Sequence, residues 1–100
     1  MIISFVRIIS KKRLKEFWFK YPDSEKPLKV WYSICKKELF GNFNELKSFF
    51  NSADFFEEKT IFDIAGNKYR LIVKIQYKIK TIFIKEVYTH EEYEKGKWKK

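Results

Sequence analysis

The dipeptide Gly66-Asn67, which separates two apolar runs, constrains the fold of this chain more than any other feature. A glycine and an asparagine between alternating apolar residues are typical of a two-residue β-hairpin loop. Such a loop fixes the pairing of the strands, so that Ile64 faces Tyr69 and Asp63 faces Arg70. Alternation then predicts an apolar face made of Phe62, Ile64, Tyr69, Leu71, Val73 and Ile75.

The opposite face of this hairpin is half polar, because Arg70, Lys74 and Gln76 share it with Ile72. The register places Asp63 beside Arg70, and the resulting ion pair would hold the guanidinium in place. From residue 68 to residue 85 the chain carries six cations and no acid, although solvated strands usually mix the two signs. This run favours an anionic ligand.

Upstream of the hairpin, the pattern predicts one strand and two main helices. The strand spans Ile2–Ile9, which is rich in Ile, Val and Phe. Apolar residues at helical spacing then predict a first helix that stops at Pro22. A second helix follows, with Asp23 or Ser24 as its cap and Gly41 just past its end.

The remaining segments complete the expected topology. A short helix capped by Asn44 precedes a loop over 51–59, and a last strand spans Thr81–Tyr88. Thr89 and Glu92 form a capping box that opens a short final helix, while Trp98 lies in a basic tail. We therefore expect a single α+β domain over residues 1–100, in which a small, mostly antiparallel sheet packs on two main helices.

Composition narrows the classes of function. The net charge of +9 makes nucleic acid, a membrane surface or an acidic protein the expected partner, with a lysine-rich surface lacking any partner as the alternative. A single cysteine, Cys35, excludes an internal disulfide and fits a reducing, cytoplasmic compartment. One cysteine and one histidine give no metal-site spacing, so we expect chemistry without metal or cofactor. The N-terminal apolar run is too short to cross a membrane.

Three residues near the end of the predicted sheet suit metal-free RNA cleavage. This reaction needs a base for the 2′-hydroxyl, an acid for the leaving 5′-oxygen and cations for the charge on the phosphorane. His90 changes charge near neutral pH, and Tyr93 stands three residues later on the same side of a helix. Tyr93 would need nearby cations to lower its pKa before it could act as a base. Arg70 presents a planar fork suited to phosphate.

Each of these residues also has a purely structural interpretation. His90 stands at a helix start, Tyr93 suits a packing position, and Arg70 paired with Asp63 suits a structural ion pair. The residues alone therefore predict a small basic α+β domain that binds an anionic partner, and a non-catalytic binding module stays open.

Two motifs extend this interpretation. The run I-F-D-I-A-G-N-K-Y-R-L-I-V, followed by F-I-K-E-V-Y-T-H-E-E-Y-E-K, resembles the HigB-type toxins of the RelE superfamily. The upstream pieces Y-P, W-Y and F-N-E-L-K-S-F-F-N-S-A-D resemble the helical region of the same family. The resemblance implies a β-α-α-β-β-β fold and metal-independent cleavage of mRNA on the ribosome. It also implies a helix-turn-helix antitoxin of the HigA type, through which alone the toxin would reach operator DNA.

The resemblance also assigns functions to residues. Arg70 would clamp phosphate, and His90 and Tyr93 would be the acid–base pair. Asn67 and Lys68 match the turn at the rim of the cleft, and Lys74 would add charge for RNA. Lys85 stands where the family commonly has arginine, which keeps the charge and loses the bidentate fork. Since some members of the superfamily act on DNA gyrase, a gyrase-directed toxin without nuclease chemistry is the rival.

Overall fold

The computed structural model describes residues 6–96, which form one five-stranded sheet with helices on both faces. The strand order is β1-β5-β4-β3-β2, and every pair is antiparallel except β1 with β5. The predicted α+β class and mostly antiparallel sheet are therefore confirmed. The strands are β1 (Arg7–Ile9), β2 (Asp54–Phe56), β3 (Lys59–Ile64), β4 (Tyr69–Gln76) and β5 (Thr81–Thr89).

Within the described range 6–96, four α-helices accompany the sheet: α1 (Lys11–Lys20), α2 (Glu25–Lys37), α3 (Phe43–Phe49) and α4 (His90–Glu94). Helix α1 stops before Pro22, as predicted, and a 3₁₀ turn over Pro22–Ser24 leads directly into α2. The capping box is also confirmed, since the Thr89 hydroxyl accepts from the Glu92 N–H at 3.1 Å and the Glu92 carboxylate accepts from the Thr89 N–H at 2.9 Å.

The hairpin has the predicted register. Phe62 pairs with Leu71, Asp63 with Arg70 and Ile64 with Tyr69. The Lys68 N–H donates to the Ala65 carbonyl at 3.3 Å and closes the turn. Gly66 adopts a φ of +70°, a left-handed conformation that costs glycine little.

The two faces of the sheet are covered differently. The helix face packs against α1, α2 and α3, and its main buried residues are Leu14, Leu28, Trp31, Cys35, Leu46, Phe62, Leu71 and Val73. The other face, here called the Arg70 face, buries Ile61 and Ile72 under Tyr88 and Tyr93. Ile72 was predicted to share a half-polar face, but it is almost fully buried because α4 folds back over it.

Three expectations for the connecting segments are wrong. Part of the predicted loop over 51–59 forms the edge strand β2, which pairs with β3. Helix α3 is capped by Asn42 rather than Asn44, since the Asn42 side chain accepts from the Glu45 N–H at 3.0 Å. Helix α2 ends at Lys37, so Gly41 does not follow its end. Residues 2–5 of the predicted first strand, and Trp98, lie outside the described residues.

Within residues 6–96, we find no helix with the length and apolar character needed to span a membrane.

Candidate active site

Arg70 is largely enclosed by its neighbours. Its side chain is 12% exposed, and its Nε lies 3.1 Å from the Asp63 carboxylate. Its Nη1 donates to the carbonyl oxygens of Asn67 at 3.0 Å and Tyr69 at 3.2 Å. The predicted Asp63–Arg70 pair is thus confirmed, and the orientation of the guanidinium is fixed by three separate groups.

Tyr93 covers this guanidinium from the side of α4. The Arg70 Cζ lies 5.2 Å from the centre of the Tyr93 ring, a distance typical of a cation–π contact. The condition for Tyr93 to act as a base, a pKa lowered by nearby cations, is not met. Burial raises this pKa above its ordinary value of 10, although the charge of Arg70 acts in the opposite direction. The phenol of Tyr93 is therefore protonated at neutral pH, which suits a proton donor rather than a base.

His90 occupies the first position of α4 and is 46% exposed. Its backbone N–H donates to the Lys68 carbonyl at 2.8 Å, which joins the start of α4 to the hairpin. Its Nε2 lies 3.4 Å from the Glu94 carboxylate one turn later. The imidazole opens into a groove whose walls include Tyr21, Asn67, Lys68, Tyr69 and Lys95, together with the acidic Glu91 and Glu92. The groove is open to solvent and carries charges of both signs.

The hairpin is also tied to the helical layer. Asp23, in the 3₁₀ turn between α1 and α2, accepts hydrogen bonds from the Lys68 ammonium and the Tyr69 hydroxyl. These two donors hold the pKa of Asp23 below its ordinary value. Burial and the Asp23 carboxylate together raise the pKa of Tyr69 to about 12.

Lys85 and Lys74 lie farther from this centre. Ile72 of β4 pairs with Glu86 of β5, whereas the next residue, Val73, pairs with Ile84. Lys85 is therefore the extra residue of a β-bulge, and it is exposed. Tyr88, opposite Arg70, is three residues from Lys85, or about 10 Å along the strand. Lys74 is four residues from Arg70, or about 13 Å. The two lysines are thus displaced along the strands from Arg70.

The hairpin and α4 thus bring Arg70, Asp63, Tyr93, His90, Asn67 and Lys68 to one end of the sheet. A search of known protein families finds one that covers most of this chain. The family described as HigB_toxin, the RelE-like toxic component of a toxin–antitoxin system, matches residues 24–96.

The chain belongs to the HigB toxin family.

Curated relatives of the HigB type agree with this assignment over almost their whole length. The chain is 31% identical to the mRNA interferase HigB of Escherichia coli O6:H1 over 93 residues, which cover 90% of each protein. It is 29% identical over 92 residues to the mRNA interferase toxin HigB of Escherichia coli K12 and to the mRNA interferase HigB of Shigella flexneri, covering 89% of this chain and 88% of each relative. A HigB toxin is one component of a pair, so an antitoxin is its partner.

Sequence reasoning missed two residues that contact this candidate site. Asp23 was expected only as a helix cap, and it is the acceptor for the hairpin 45 residues away. Tyr88, which pairs with Arg70 across β4 and β5, was not singled out. A capping residue next to a proline gives no signal of a distant contact. The β4–β5 register extended from the turn would have pointed to Val87, because the bulge at Lys85 shifts the pairing of Arg70 by one residue.

Among residues 6–96, no group of three or more His, Cys, Asp or Glu side chains is arranged to hold a metal ion.

Proposed function

We propose that this HigB-family chain is an mRNA-cleaving toxin that inhibits translation in the cytoplasm. The observation that carries the proposal is the contact of the Arg70 guanidinium with Tyr93 of α4, the helix that begins at His90 and whose first N–H is bonded to the hairpin. This arrangement occurs in a chain whose curated relatives are named mRNA interferases. A cation, a protonated phenol and an exposed imidazole are the groups that phosphodiester cleavage by a neighbouring hydroxyl requires.

In the proposed reaction, the 2′-oxygen of the RNA attacks the adjacent phosphorus and the bond from phosphorus to the 5′-oxygen breaks. His90 accepts the proton from the 2′-hydroxyl, since its imidazole is open to the groove. Tyr93 gives its proton to the leaving 5′-oxygen, because burial keeps its phenol protonated. The products are a 2′,3′-cyclic phosphate and a 5′-hydroxyl.

Arg70 stabilises the negative charge that grows on the phosphorane, and its fixed orientation avoids reorganisation during the reaction. Asp63 and the two carbonyl groups hold the fork, and Tyr93 covers one side of it. Asn67 and Lys68 at the groove position the adjacent RNA backbone. Lys74 and Lys85 supply point charges to more distant nucleotides, so they affect binding more than turnover.

The proposal includes the ribosome as the place of cleavage and a helix-turn-helix antitoxin as the partner. The net charge of +9 supports docking on ribosomal RNA, since neutralising phosphates gives affinity without reading sequence. The same charge supports an antitoxin with an acidic segment that covers the groove. The antitoxin would bring the toxin to operator DNA.

The test is the cleavage of a reporter mRNA in a purified translation system, with free RNA as a parallel substrate. We expect cleavage of the translated message and a 5′-hydroxyl on the downstream fragment. A 2′-deoxy nucleotide on the 5′ side of the cleaved bond should block the reaction, because the attacking hydroxyl is then missing. If the chain arrests translation without cutting the message, the nuclease proposal is wrong.

Substitutions at the site test its assignment separately. Arg70→Ala and His90→Ala should each reduce the cleavage rate by about 100-fold or more. Arg70→Lys should recover only part of the loss, because lysine keeps the charge and lacks the fork. Arg13→Ala, which removes an exposed guanidinium paired with Glu86, is the matched control and should cleave normally. If Arg70→Ala and His90→Ala cleave at the wild-type rate, the residues are wrongly assigned.

A further inference from the structure

Asp23 makes two contacts that reach from the helical layer to consecutive residues of the hairpin. Its Oδ2 accepts from the Lys68 ammonium, and its Oδ1 accepts from the Tyr69 hydroxyl. The residues lie 45 and 46 positions apart in the chain, so these are tertiary contacts rather than local ones. One carboxylate therefore fixes both side chains at the base of the turn.

The position of the carboxylate is itself fixed by packing. The ring centroid of Tyr21, two residues earlier, lies 5.6 Å from that of Tyr69. The ring centroid of Phe17 lies 5.2 Å from that of Tyr69, in an edge-to-face arrangement. The hydroxyl of Ser24, which is fully buried, donates to the Tyr21 carbonyl at 2.7 Å. The turn that carries Asp23 is thus held from both sides against the hairpin.

The two residues that Asp23 holds are also the residues that support α4. The Lys68 carbonyl accepts the His90 N–H at 2.8 Å. Tyr69 pairs across the sheet with Thr89, the N-cap of α4. Asp23 is therefore connected to His90 through the side chain of Lys68 and the backbone hydrogen bond between Lys68 and His90. A second connection runs through Tyr69 and its pairing with Thr89.

We propose that Asp23 is a positioning residue for the active site, which sets the place of His90 by holding Lys68 and Tyr69. The inference rests on the proposed RNA cleavage and adds a residue to it that touches neither substrate nor reacting atoms. Asp23 also offsets the charge of Lys68, so it does not serve substrate affinity. Its loss should lower turnover without weakening RNA binding.

The test compares Asp23→Asn with Glu25→Gln in cleavage of a ribosome–mRNA complex. Glu25 is the matched control, since it is 43% exposed against 48% for Asp23 and pairs with Lys29 at 2.6 Å. Both changes remove one negative charge from a surface ion pair. Asp23→Asn should lower kcat by about 10-fold to 100-fold, the loss typical of a displaced catalytic group, with KM unchanged or reduced. Glu25→Gln should change neither constant.

The histidine at this site is the only one in the chain, so its imidazole gives one assignable NMR signal. Asp23→Asn should shift this signal and Glu25→Gln should leave it in place. A normal kcat with an unmoved signal overturns the positioning inference, as does a loss confined to KM. If wild type cleaves no RNA, the proposed function fails and the imidazole signal alone decides the inference. If Asp23→Asn does not fold, Tyr69→Phe, which removes one of the two donors, is judged by the same two measurements.

Discussion

Two consecutive residues of β4 show how different the two faces of this sheet are. Leu71 points to the helix face and Ile72 to the Arg70 face, and their side chains are 0% and 1% exposed. Leu71 is surrounded by apolar residues from α1, α2, α3 and the sheet. Ile72 has only Ile61 beneath a cover of two tyrosines, beside the Arg70–Asp63 pair. Two equally buried residues thus have different surroundings. Leu71 belongs to a large core on the helix face, whereas Ile72 belongs to a small cluster that supports the charged site on the other face.

The Arg70 face carries an electrostatic cost that the helix face avoids. A guanidinium that is nearly removed from water requires acceptors, and Asp63 with two backbone carbonyls supplies them. An apolar residue at position 70 would satisfy the sheet without these partners. The difference teaches that most of the packing lies on the helix face, whereas the Arg70 face carries the residues that the proposed function uses.

The largest expected effect comes from truncating the two β4 residues separately. Leu71→Ala should lower the free energy of unfolding by about 3–5 kcal/mol, because the tightly packed helix face cannot close the cavity. Ile72→Ala should cost less, about 2–3 kcal/mol, because the tyrosine cover can move toward the gap. Denaturant unfolding measures both values, and the exposed Ile79→Ala is the control, expected within about 0.5 kcal/mol of wild type.

Activity should rank these variants in the opposite order. At a temperature where both are folded, Leu71→Ala should cleave nearly as fast as wild type, while Ile72→Ala should be slower because Tyr93 and Arg70 lose their support. The contrast between the faces would be refuted if cleavage by both variants followed the folded fraction alone.

The sequence was sufficient for the parts of the fold that depend on nearby residues. The Gly66-Asn67 turn, the Asp63–Arg70 pair and the Thr89–Glu92 capping box each join residues at most seven positions apart. For such contacts, turn chemistry and alternation determine the geometry with little contribution from the rest of the chain. These features were predicted correctly, and they locate one half of the candidate site.

The parts that could not be predicted depend on distant residues. The short strand β2 contains two exposed phenylalanines between acids, and only pairing with β3 makes it a strand. The bulge that displaces Lys85 follows from the packing of β5 against β4, which no local pattern specifies. The contact of Asp23 with the hairpin likewise requires knowing how α1 lies on the sheet.

The next prediction distinguishes the contribution of the Tyr93 ring to stability from the contribution of its hydroxyl to cleavage. Tyr93→Phe keeps the ring over Ile61, Ile72 and the guanidinium, so stability should change by no more than about 1 kcal/mol. Its cleavage rate should fall by about 10-fold to 100-fold, because the proton donor is missing. Tyr32→Phe, on α2, is the control and should retain full activity. A cleavage rate of the wild type that rises steeply above pH 8 would instead favour a tyrosinate base at this position.

A smaller effect concerns the hydrogen bonds from Lys68 and Tyr69 to Asp23, which connect the hairpin to the helical layer. The pKa of Tyr69 is raised to about 12, so the unfolded chain releases this proton first as pH rises above 10. The stabilisation by Tyr69 is therefore complete below pH 10 and is lost between pH 10 and about 12. The Asp23 pKa is lowered, so its stabilisation is present above its ordinary value of 3.8 and is lost as pH falls below it.

Thermal unfolding of wild type and Tyr69→Phe across pH 8–11.5 tests the contact between Tyr69 and Asp23. The difference in stability between the two should shrink as pH rises above 10. A difference that stays constant over this range would mean that Asp23 and burial do not favour the protonated phenol.

The smallest effect lies at the tip of the hairpin, where Ala65 packs against the helix-face core and a change leaves the Arg70 face intact. Ala65 adopts a φ of +55°, a left-handed conformation that strains a residue with a Cβ. Ala65→Gly should therefore stabilise the chain by about 0.5–1 kcal/mol, since the relief of strain exceeds the extra entropy of glycine in the unfolded chain. Gly66→Ala is the matched opposite, because a Cβ there meets no atom within 4 Å and its φ of +70° alone should cost about 1 kcal/mol. Because neither change touches the Arg70 face, the two variants should differ in thermal stability and cleave RNA at the same rate. Unequal rates would mean that the stability of the hairpin itself limits the chemistry on the Arg70 face.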